Sequence, residues 1–276
     1  MKHAIFFDLD GTLLNSHNTI CKQTIATVEA LKLAGHTIFI ATGRQFYATI
    51  PFHKQLGLNT PIITLNGGAI YDKDGILLQK TFIDPLFVTT ILQDKTFANI
   101  TEVSNFETPN LSVMTNKNPG VIAYLHQQMP TGLIPNYGNT RHHFSSFPIL
   151  SQVVNMYSFV ASDQFEDLKI YLNKTITDSV SFRYGDDPLI PFVEIFSKNC
   201  SKATGIAYVL NYLGLDDIRT MAFGDGQNDF EMLEYVDVGV AMKNAVSSLV
   251  ACSDEQTPLT HQESGVSDFL NTYFKI

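Results

Sequence analysis

The strongest constraint on the fold of this chain lies in its first twelve residues. The apolar run Ala4–Phe7 is followed directly by Asp8–Thr12, which reads DLDGT. A run that is apolar at every position is typical of a strand buried on both faces of a parallel sheet. Ligands of open α/β sheets bind beyond the carboxyl ends of such strands, so Asp8 and Asp10 are predicted to project into a site. Close carboxylates in a half-buried site require a cation or a shared proton.

Strand and helix signals alternate through the first third of the chain, which predicts βαβ units and a parallel sheet. The alternation returns near the C-terminus, whereas the region between lacks the glycine-rich strand ends. We therefore predict an α/β fold with a Rossmann-like parallel-sheet core formed by residues 1–83 and 189–276, and an inserted α+β domain formed by residues 84–188. The later predicted core elements are strands His36–Ala41, Pro61–Leu65, Phe192–Phe196, Thr220–Phe223 and Val236–Met242, and helix Lys202–Leu213.

Composition narrows the range of partners. The net charge of −9 argues against a general nucleic-acid surface, which would need a basic face. No run approaches the roughly 18 apolar residues of a membrane span. Cys21, Cys200 and Cys252 are far apart and suit a reducing compartment. We expect a cytoplasmic protein with neither nucleic acid nor membrane as a partner; the sequence predicts no oligomeric state.

Four polar clusters fall at or near the ends of predicted core elements. Each has a purely structural interpretation when taken alone. An isolated D-x-D-G is often a turn with Asx hydrogen bonds, Thr42-Gly43 could cap a helix, and a lone Lys202 is more often solvated. One shared site explains the clusters more simply than four coincidences. The clusters are Asp8/Asp10/Thr12, Thr42–Arg44, Lys202 and Gly224–Asp229.

These residue types suit phosphoryl chemistry. Carboxylates are preferred ligands of Mg²⁺, which is commonly bound by few protein groups together with a substrate phosphate. Hydroxyl groups, loop N–H groups and an ammonium can surround phosphoryl oxygens. A carboxylate can also attack phosphorus, while a second acid protonates the leaving oxygen and later activates water.

The chain resembles the haloacid dehalogenase superfamily, and within it the Cof-like sugar-phosphatase branch. The resemblance covers nearly the whole predicted core. Its motifs are DLDGT at Asp8–Thr12, ATGR at Ala41–Arg44, LNGGAIYD at Leu65–Asp72, Ser201-Lys202, FGDGQNDFEML at Phe223–Leu233 and GVAMKNA at Gly239–Ala245.

The resemblance implies a role for each site residue. Asp8 would be the nucleophile and Asp10 the general acid/base, while Thr42 and Lys202 would hold the phosphoryl oxygens. Magnesium would be bound by Asp8, the backbone carbonyl of Asp10 and Asp225, with Asp229 supporting the coordination shell. Further predicted phosphate or substrate contacts are Thr12, Gly43, Arg44, Asn66 and Asn228.

Two points stay open in the sequence. Lys198 is a competing candidate for the phosphate lysine, although Lys202 opens the helix that follows. The insert corresponds in position to the family's cap, which selects the leaving group. Its conspicuous polar residues are Arg183 and Arg141-His142-His143, the histidines fitting a solvated loop better than a metal site. Asp186-Asp187 fits a hinge turn.

The function predicted is a Mg²⁺-dependent phosphatase that hydrolyses small phosphorylated metabolites, sugar phosphates above all, through an aspartyl-phosphate. Its partner is therefore a small phosphate ester. One alternative is a phosphomutase or phosphotransferase that passes the group to a second hydroxyl. Another is a non-catalytic metabolite-binding protein built on the same fold. The sequence does not identify which phosphate ester is bound.

Overall fold

The structure is a computed structural model that describes residues 2–109, 112–116, 151–185, 191–215 and 217–276. The chain divides into two compact units, the first formed by residues 1–79 and 200–276 and the second by residues 80–199. The predicted boundary after residue 83 lies 4 residues from the observed boundary after residue 79. The predicted boundary after residue 188 lies 11 residues from the observed boundary after residue 199. The expectations for Arg141-His142-His143 and Asp186-Asp187 concern residues outside the described ranges.

The secondary structure of the described residues alternates strands and short helices. The strands are β1 (His3–Phe7), β2 (Thr37–Ala41), β3 (Ile62–Thr64), β4 (Ala69–Tyr71), β5 (Leu77–Lys80), β6 (Thr101–Glu107), β7 (Ser112–Asn116), β8 (Asn155–Val160), β9 (Val180–Gly185), β10 (Phe192–Ser197), β11 (Arg219–Gly224), β12 (Val238–Ala241) and β13 (Glu255–Gln256). The α-helices are α1 (Lys22–Leu33), α2 (Phe46–Gln55), α3 (Pro85–Gln93), α4 (Lys95–Ile100), α5 (Phe165–Thr175), α6 (Lys202–Leu213), α7 (Phe230–Tyr235), α8 (Ser247–Cys252) and α9 (Gly265–Phe274). None of the helices within the described ranges is long and apolar enough to cross a membrane.

The first unit is built on an eight-stranded sheet of order β13-β12-β11-β1-β2-β3-β4-β5. The pairs from β13 through β3 are parallel, and β4 joins β3 in antiparallel orientation. The central strand β1 lies between β2 and β11, which come from distant parts of the chain. Strand order therefore reverses at β1, and open α/β sheets bind ligands at such a point. The predicted fold class, a mainly parallel α/β core, is confirmed.

Both faces of this sheet are buried, which explains the continuous apolar character of β1. Ile5 and Phe7 point to one face and pack with apolar residues of α1 and α9. Ala4 and Phe6 point to the other face and pack with apolar residues of α6, α7 and α8. Helices thus cover the sheet on two sides and leave the strand ends for polar groups.

The second unit contains a five-stranded antiparallel sheet of order β7-β6-β8-β10-β9. Apolar residues of α3, α4 and α5 pack on one face of it. The expectation that Phe192–Phe196 is a core strand is wrong, because β10 pairs with β8 and β9 of this sheet. The apolar pattern that predicts a strand does not say which sheet the strand joins.

Candidate active site

Three neighbouring parallel strands bring the predicted site residues to one edge of the first unit's sheet. Asp8 directly follows β1, and its N–H donates to the carbonyl oxygen of Phe223 in β11 at 3.1 Å. Thr42 directly follows β2, and its N–H donates to Ile63 of β3 at 3.0 Å. Asp225 directly follows β11. Backbone hydrogen bonds between neighbouring strands therefore fix the positions of Asp8 and Thr42.

Lys202 reaches this edge because it is the first residue of α6. The preceding Ser201 caps the helix: its hydroxyl accepts from the N–H of Thr204 at 3.2 Å, and the Thr204 hydroxyl accepts from the N–H of Ser201 at 3.0 Å. The loop after β3 packs tightly against this cap. Gly67 has φ +93°, and a Cβ there would lie 2.0 Å from the carbonyl oxygen of Ser201. Only glycine fits both requirements.

Lys202 is completely buried between two carboxylates. Its ammonium donates to Asp8 Oδ1 at 2.6 Å and to Asp229 Oδ1 at 2.6 Å. The exposed fractions are 0% for Lys202, 5% for Asp8 and 0% for Asp229. Burial alone would lower the pKa of Lys202, but the two carboxylates outweigh it and raise that pKa above its ordinary value. The solvated interpretation of Lys202 is therefore wrong, while the competing Lys198 is exposed.

Asp229 also organises the loop that carries Asp225. Its Oδ2 accepts hydrogen bonds from the N–H groups of Asp225 at 2.9 Å and Gly226 at 3.0 Å. Its other oxygen is the one paired with Lys202. Because both oxygens are engaged, Asp229 acts here mainly by orienting the loop. Asp8 and Asp225 are the carboxylates better placed to give an oxygen to a cation.

The acidic cluster fits a hard divalent cation. Asp8, Asp225 and Asp229 each offer an oxygen atom, and these atoms lie within 4.8 Å of one another. Burial raises the pKa of Asp225 to about 7, and the Asp229 charge adds to the rise. Burial likewise raises the pKa of Asp8, against the opposing effect of Lys202. Without a cation, Asp8 and Asp225 therefore hold their protons more tightly than usual. A dication would favour their ionised forms, and carboxylate oxygens are the donors that Mg²⁺ prefers.

Arg44 pairs with the predicted acid, not with an evident phosphate pocket. Its Nε donates to Asp10 Oδ2 at 2.6 Å, and its Nη2 donates to Asp10 Oδ1. The Nη2 group also donates to Asn18 Oδ1 at 2.8 Å, and the guanidinium lies 5.4 Å from the centre of the Phe52 ring. A bidentate pair fixes both partners in one geometry. Arg44 is therefore placed to set the position of the Asp10 carboxylate.

The remaining predicted contacts gather near Thr42. Its hydroxyl oxygen accepts from the N–H of Arg44 at 3.1 Å, so the hydroxyl proton can be given to an anion. Asn228 Nδ2 donates to Asn66 Oδ1 at 2.9 Å. A Cβ at Gly43 would lie 3.2 Å from Asn66 Oδ1 and 3.6 Å from Asn228 Nδ2. The structure thus brings residues from three loops together.

Two further polar residues, Thr12 and Asn244, lie at this edge of the sheet. The Thr12 hydroxyl is buried without a hydrogen-bond partner in the described part of the chain, as expected of a group that meets a ligand. Asn244 donates to the carbonyl oxygen of Gly11 at 2.9 Å and to Asp225 Oδ2 at 3.3 Å. Sequence reasoning gave Asn244 no role, although it lies within the GVAMKNA motif at Gly239–Ala245.

Comparison with known proteins gives one consistent match. A family model described as haloacid dehalogenase-like hydrolase matches residues 5–270. Among curated proteins, the 5-amino-6-(5-phospho-D-ribitylamino)uracil phosphatase YitU of Bacillus subtilis (strain 168) is 29% identical over 283 residues. The alignment covers 99% of this chain and 98% of that protein.

Solved structures agree over the full length. The HAD subclass IIB sugar phosphatase BT4131 is 25% identical, with 100% of each chain covered and a TM-score of 0.80. A HAD/COF-like hydrolase from Plasmodium vivax is 19% identical, with 99% of this chain and 96% of that chain covered and a TM-score of 0.83, which shows a shared fold alone. The predicted enzyme class, a phosphatase, is confirmed by the family model and the named phosphatases.

Proposed function

The chain belongs to the haloacid dehalogenase-like hydrolase family, and from this premise we propose that it is a Mg²⁺-dependent phosphatase of small phosphorylated metabolites. Catalysis proceeds through an aspartyl-phosphate, an acyl phosphate formed on Asp8. The observation that carries the proposal is the buried Lys202 ammonium, held 2.6 Å from Asp8 Oδ1 beside Asp225 and Asp229. A protein that only binds a metabolite has no need of a cation and a carboxylate cluster arranged around one buried carboxylate.

In the first step Asp8 attacks the phosphorus atom. A new bond forms between an Asp8 carboxylate oxygen and phosphorus, and the bond from phosphorus to the leaving oxygen breaks. Asp10 gives a proton to that oxygen, so the leaving group departs as a neutral alcohol. The buried ammonium and the Thr42 hydroxyl donate to the phosphoryl oxygens, on which negative charge is concentrated.

In the second step water hydrolyses the acyl phosphate on Asp8. Asp10, now a carboxylate, takes a proton from water as the water oxygen bonds to phosphorus. The bond between phosphorus and Asp8 breaks, which releases inorganic phosphate and restores both carboxyl groups. Arg44 orients the ionised Asp10 carboxylate for the second step through its two hydrogen bonds. In the first step one of these bonds opens, because one oxygen of Asp10 then carries the proton that goes to the leaving group.

We assign the cation site to Asp8, the backbone carbonyl of Asp10 and Asp225, with Asp229 orienting the Asp225 loop. When bound, Mg²⁺ supplies positive charge that offsets the carboxylates and the phosphoryl oxygens. Thr12, Gly43, Asn66 and Asn228 are assigned to the phosphoryl group or its immediate surroundings.

We propose that the second unit selects the leaving group. Its sheet carries a buried carboxylate, Glu194, whose Oε1 accepts from Asn155 Nδ2 at 2.8 Å and from the Tyr157 hydroxyl at 3.1 Å. Arg183 lies opposite Glu194 in register, with Nη1 3.9 Å from Oε2. These groups satisfy one another and give the sheet of the second unit a buried polar cluster. Polyol and sugar phosphates are the favoured substrate class because the relatives are named as a phosphatase of a phosphoribityl compound and as a sugar phosphatase.

A panel of phosphate esters assayed with Mg²⁺ tests the proposal. The panel contains 5-amino-6-(5-phospho-D-ribitylamino)uracil, the substrate named for the Bacillus relative, together with hexose and pentose phosphates. We expect Mg²⁺-dependent release of inorganic phosphate from one or a few members. Formation of an isomeric ester without phosphate would instead indicate a phosphomutase, and tight binding without turnover a binding protein.

The variant Asp8→Asn isolates the nucleophile. An amide cannot form the acyl phosphate, so we expect no phosphate release from a protein that still folds, as judged by its circular dichroism spectrum and a cooperative thermal transition. Asp74→Asn, in the exposed hairpin loop, is the matched control and should behave as wild type. Wild-type turnover by Asp8→Asn would overturn the assignment of Asp8.

A further inference from the structure

The segment after β12 is tied to the loops at both sides of the acidic cluster. Its backbone is hydrogen-bonded to the end of β11 and to the residue that follows it. The N–H of Met242 donates to the carbonyl oxygen of Gly224 at 2.9 Å, and the N–H of Val246 donates to the carbonyl oxygen of Asp225 at 3.0 Å. Between these two bonds lies Asn244. Its side chain is thereby held over the residue that carries a proposed metal ligand.

The Asn244 amide joins three separate parts of the first unit. Its Nδ2 donates to the carbonyl oxygen of Gly11 at 2.9 Å and to Asp225 Oδ2 at 3.3 Å. Its Oδ1 accepts from the N–H of His261 at 3.0 Å. The orientation of the amide is determined by its partners, because a backbone N–H can only donate and a carbonyl oxygen can only accept.

Gly11 makes the arrangement tight. It has φ +72°, and a Cβ there would lie 2.0 Å from Asp225 Oδ2. The Asp225 carboxylate therefore packs directly against the backbone that follows Asp10. The Gly11 carbonyl oxygen and Asp225 Oδ2 are both acceptors, and Asn244 Nδ2 is a donor that they share.

We infer that Asn244 is a positioning residue for the metal centre, whose amide holds the Asp225 carboxylate and the Gly11 carbonyl in one fixed arrangement. The inference rests on the proposed function. Gly11 directly follows Asp10, so one amide controls the two loops that supply the proposed ligands. Loss of the amide lets these loops separate, which weakens the cation site without removing any ligand. Partners that orient metal ligands typically change metal affinity about 10–100-fold when they are removed.

Direct binding of Mn²⁺ to the full chain, without substrate, tests this inference. We expect Asn244→Ala to raise the Kd for Mn²⁺ about 10–100-fold. In the phosphatase assay the half-saturating Mg²⁺ concentration should rise by a similar factor, while kcat at saturating Mg²⁺ and KM for the ester change little. Asn211→Ala, at an exposed position of α6, is the control and should leave the Mn²⁺ affinity unchanged.

A second variant covers the case in which Asn244→Ala does not fold. His261→Pro removes the N–H that holds Asn244 Oδ1, together with the imidazole that contacts Gln262. His261→Ala, which loses the imidazole and keeps the N–H, is its control, and Thr260 already has the extended backbone that precedes proline (φ −76°, ψ 170°). We expect a smaller increase in the Kd for Mn²⁺, of severalfold. Unchanged Mn²⁺ affinity in the variants overturns the role of Asn244 and leaves the proposed function intact. Absence of Mn²⁺ binding by the wild type overturns both.

Discussion

Replacement of Lys202 by methionine is expected to destabilise the metal-free protein through charge and not through packing. Lys202 is fully buried, and its ammonium lies 2.6 Å from an oxygen of Asp8 and 2.6 Å from an oxygen of Asp229. Methionine retains an unbranched apolar stem, so little packing is lost. What remains is a buried pair of carboxylates without the cation between them.

The magnitude follows from this geometry. Removal of one partner of a buried ion pair costs about 3–5 kcal/mol, because the other charge is left buried and unpaired. One ammonium serves two carboxylates here, so the upper half of that range applies when both are charged. With a urea m-value of about 2–3 kcal/mol per M, the unfolding midpoint falls by about 1–2.5 M.

The loss also has a defined pH dependence. A carboxylate whose pKa is raised by folding binds protons more tightly in the folded protein, so stability falls as pH rises between the unfolded and folded pKa values. Burial already raises the pKa of Asp8, and removal of Lys202 raises it further. The deficit of Lys202→Met should therefore be small near about pH 5 and grow toward about pH 8.

Urea unfolding in EDTA, followed by circular dichroism at both pH values, measures this deficit. Lys198→Met is the control, because Lys198 is exposed and such substitutions usually change stability by less than about 0.5 kcal/mol. Added Mg²⁺ should reduce the deficit, since a cation can neutralise the same carboxylates. An equal deficit at both pH values would refute the electrostatic reasoning and leave packing as the cause.

Three further predictions concern the neighbours of this cluster. Arg44→Gln should lower kcat/KM about 10-fold or more for an alkyl phosphate, whose leaving oxygen needs the proton from Asp10, but little for p-nitrophenyl phosphate; equal losses would contradict the positioning of Asp10. Folding raises the pKa of Asp225 to about 7, so the stability of the metal-free protein should fall by up to about 4 kcal/mol as pH rises from about 4 to about 7. Asp225→Asn should flatten that part of the urea-midpoint profile, and an unaltered slope would assign the loss to other groups. Both Gly67 and Gly214 have a positive φ, of +93° and +64°. In Gly67→Ala the new Cβ would also lie 2.0 Å from the carbonyl oxygen of Ser201, whereas in Gly214→Ala it would meet open space. In urea unfolding, Gly214→Ala should lower the free energy of unfolding by about 1–2 kcal/mol, and Gly67→Ala should lower it clearly more. Equal losses would show that the backbone at Ser201, before α6, moves away to make room for the new methyl group.

Local signals in the sequence predict much of the core. The bounds of α6, Lys202–Leu213, agree with the predicted helix, because Ser201 and Thr204 cap its start and Gly214 ends it in a left-handed conformation. Carboxylates and hydroxyls that follow apolar runs are found together at the sheet edge, since parallel strands bring their carboxyl ends to one side.

What the sequence could not predict depends on contacts between distant residues. Lys202 is buried only because Asp8 and Asp229, 194 and 27 residues away, receive its ammonium. Arg44 lies two residues after Thr42 in the sequence, yet its side chain donates a hydrogen bond to Asp10. The apolar residues of β10 predict a strand, but they do not show that its pairing partners are β8 and β9 of the second unit.

The charge of the site bears on the order in which it binds a cation and an ester. Asp8, Asp225 and Asp229 place three carboxyl groups around the single ammonium of Lys202, whereas Asp10 and Arg44 neutralise each other. Burial raises the pKa of Asp8 and of Asp225, so full ionisation of the three is disfavoured in the metal-free protein. The whole chain carries −9, so its long-range field repels a phosphate ester. The Lys202 ammonium already serves two carboxylates, so it can donate to a phosphoryl oxygen only as a shared donor. Under the proposed function, a dication balances the ionised carboxylates and an anion adds to their charge, so we expect the cation to bind before the ester or with it. The loops that would supply its ligands must be held together before it arrives, and the Asn244 amide donates to both of them, at the Gly11 carbonyl oxygen and at Asp225 Oδ2.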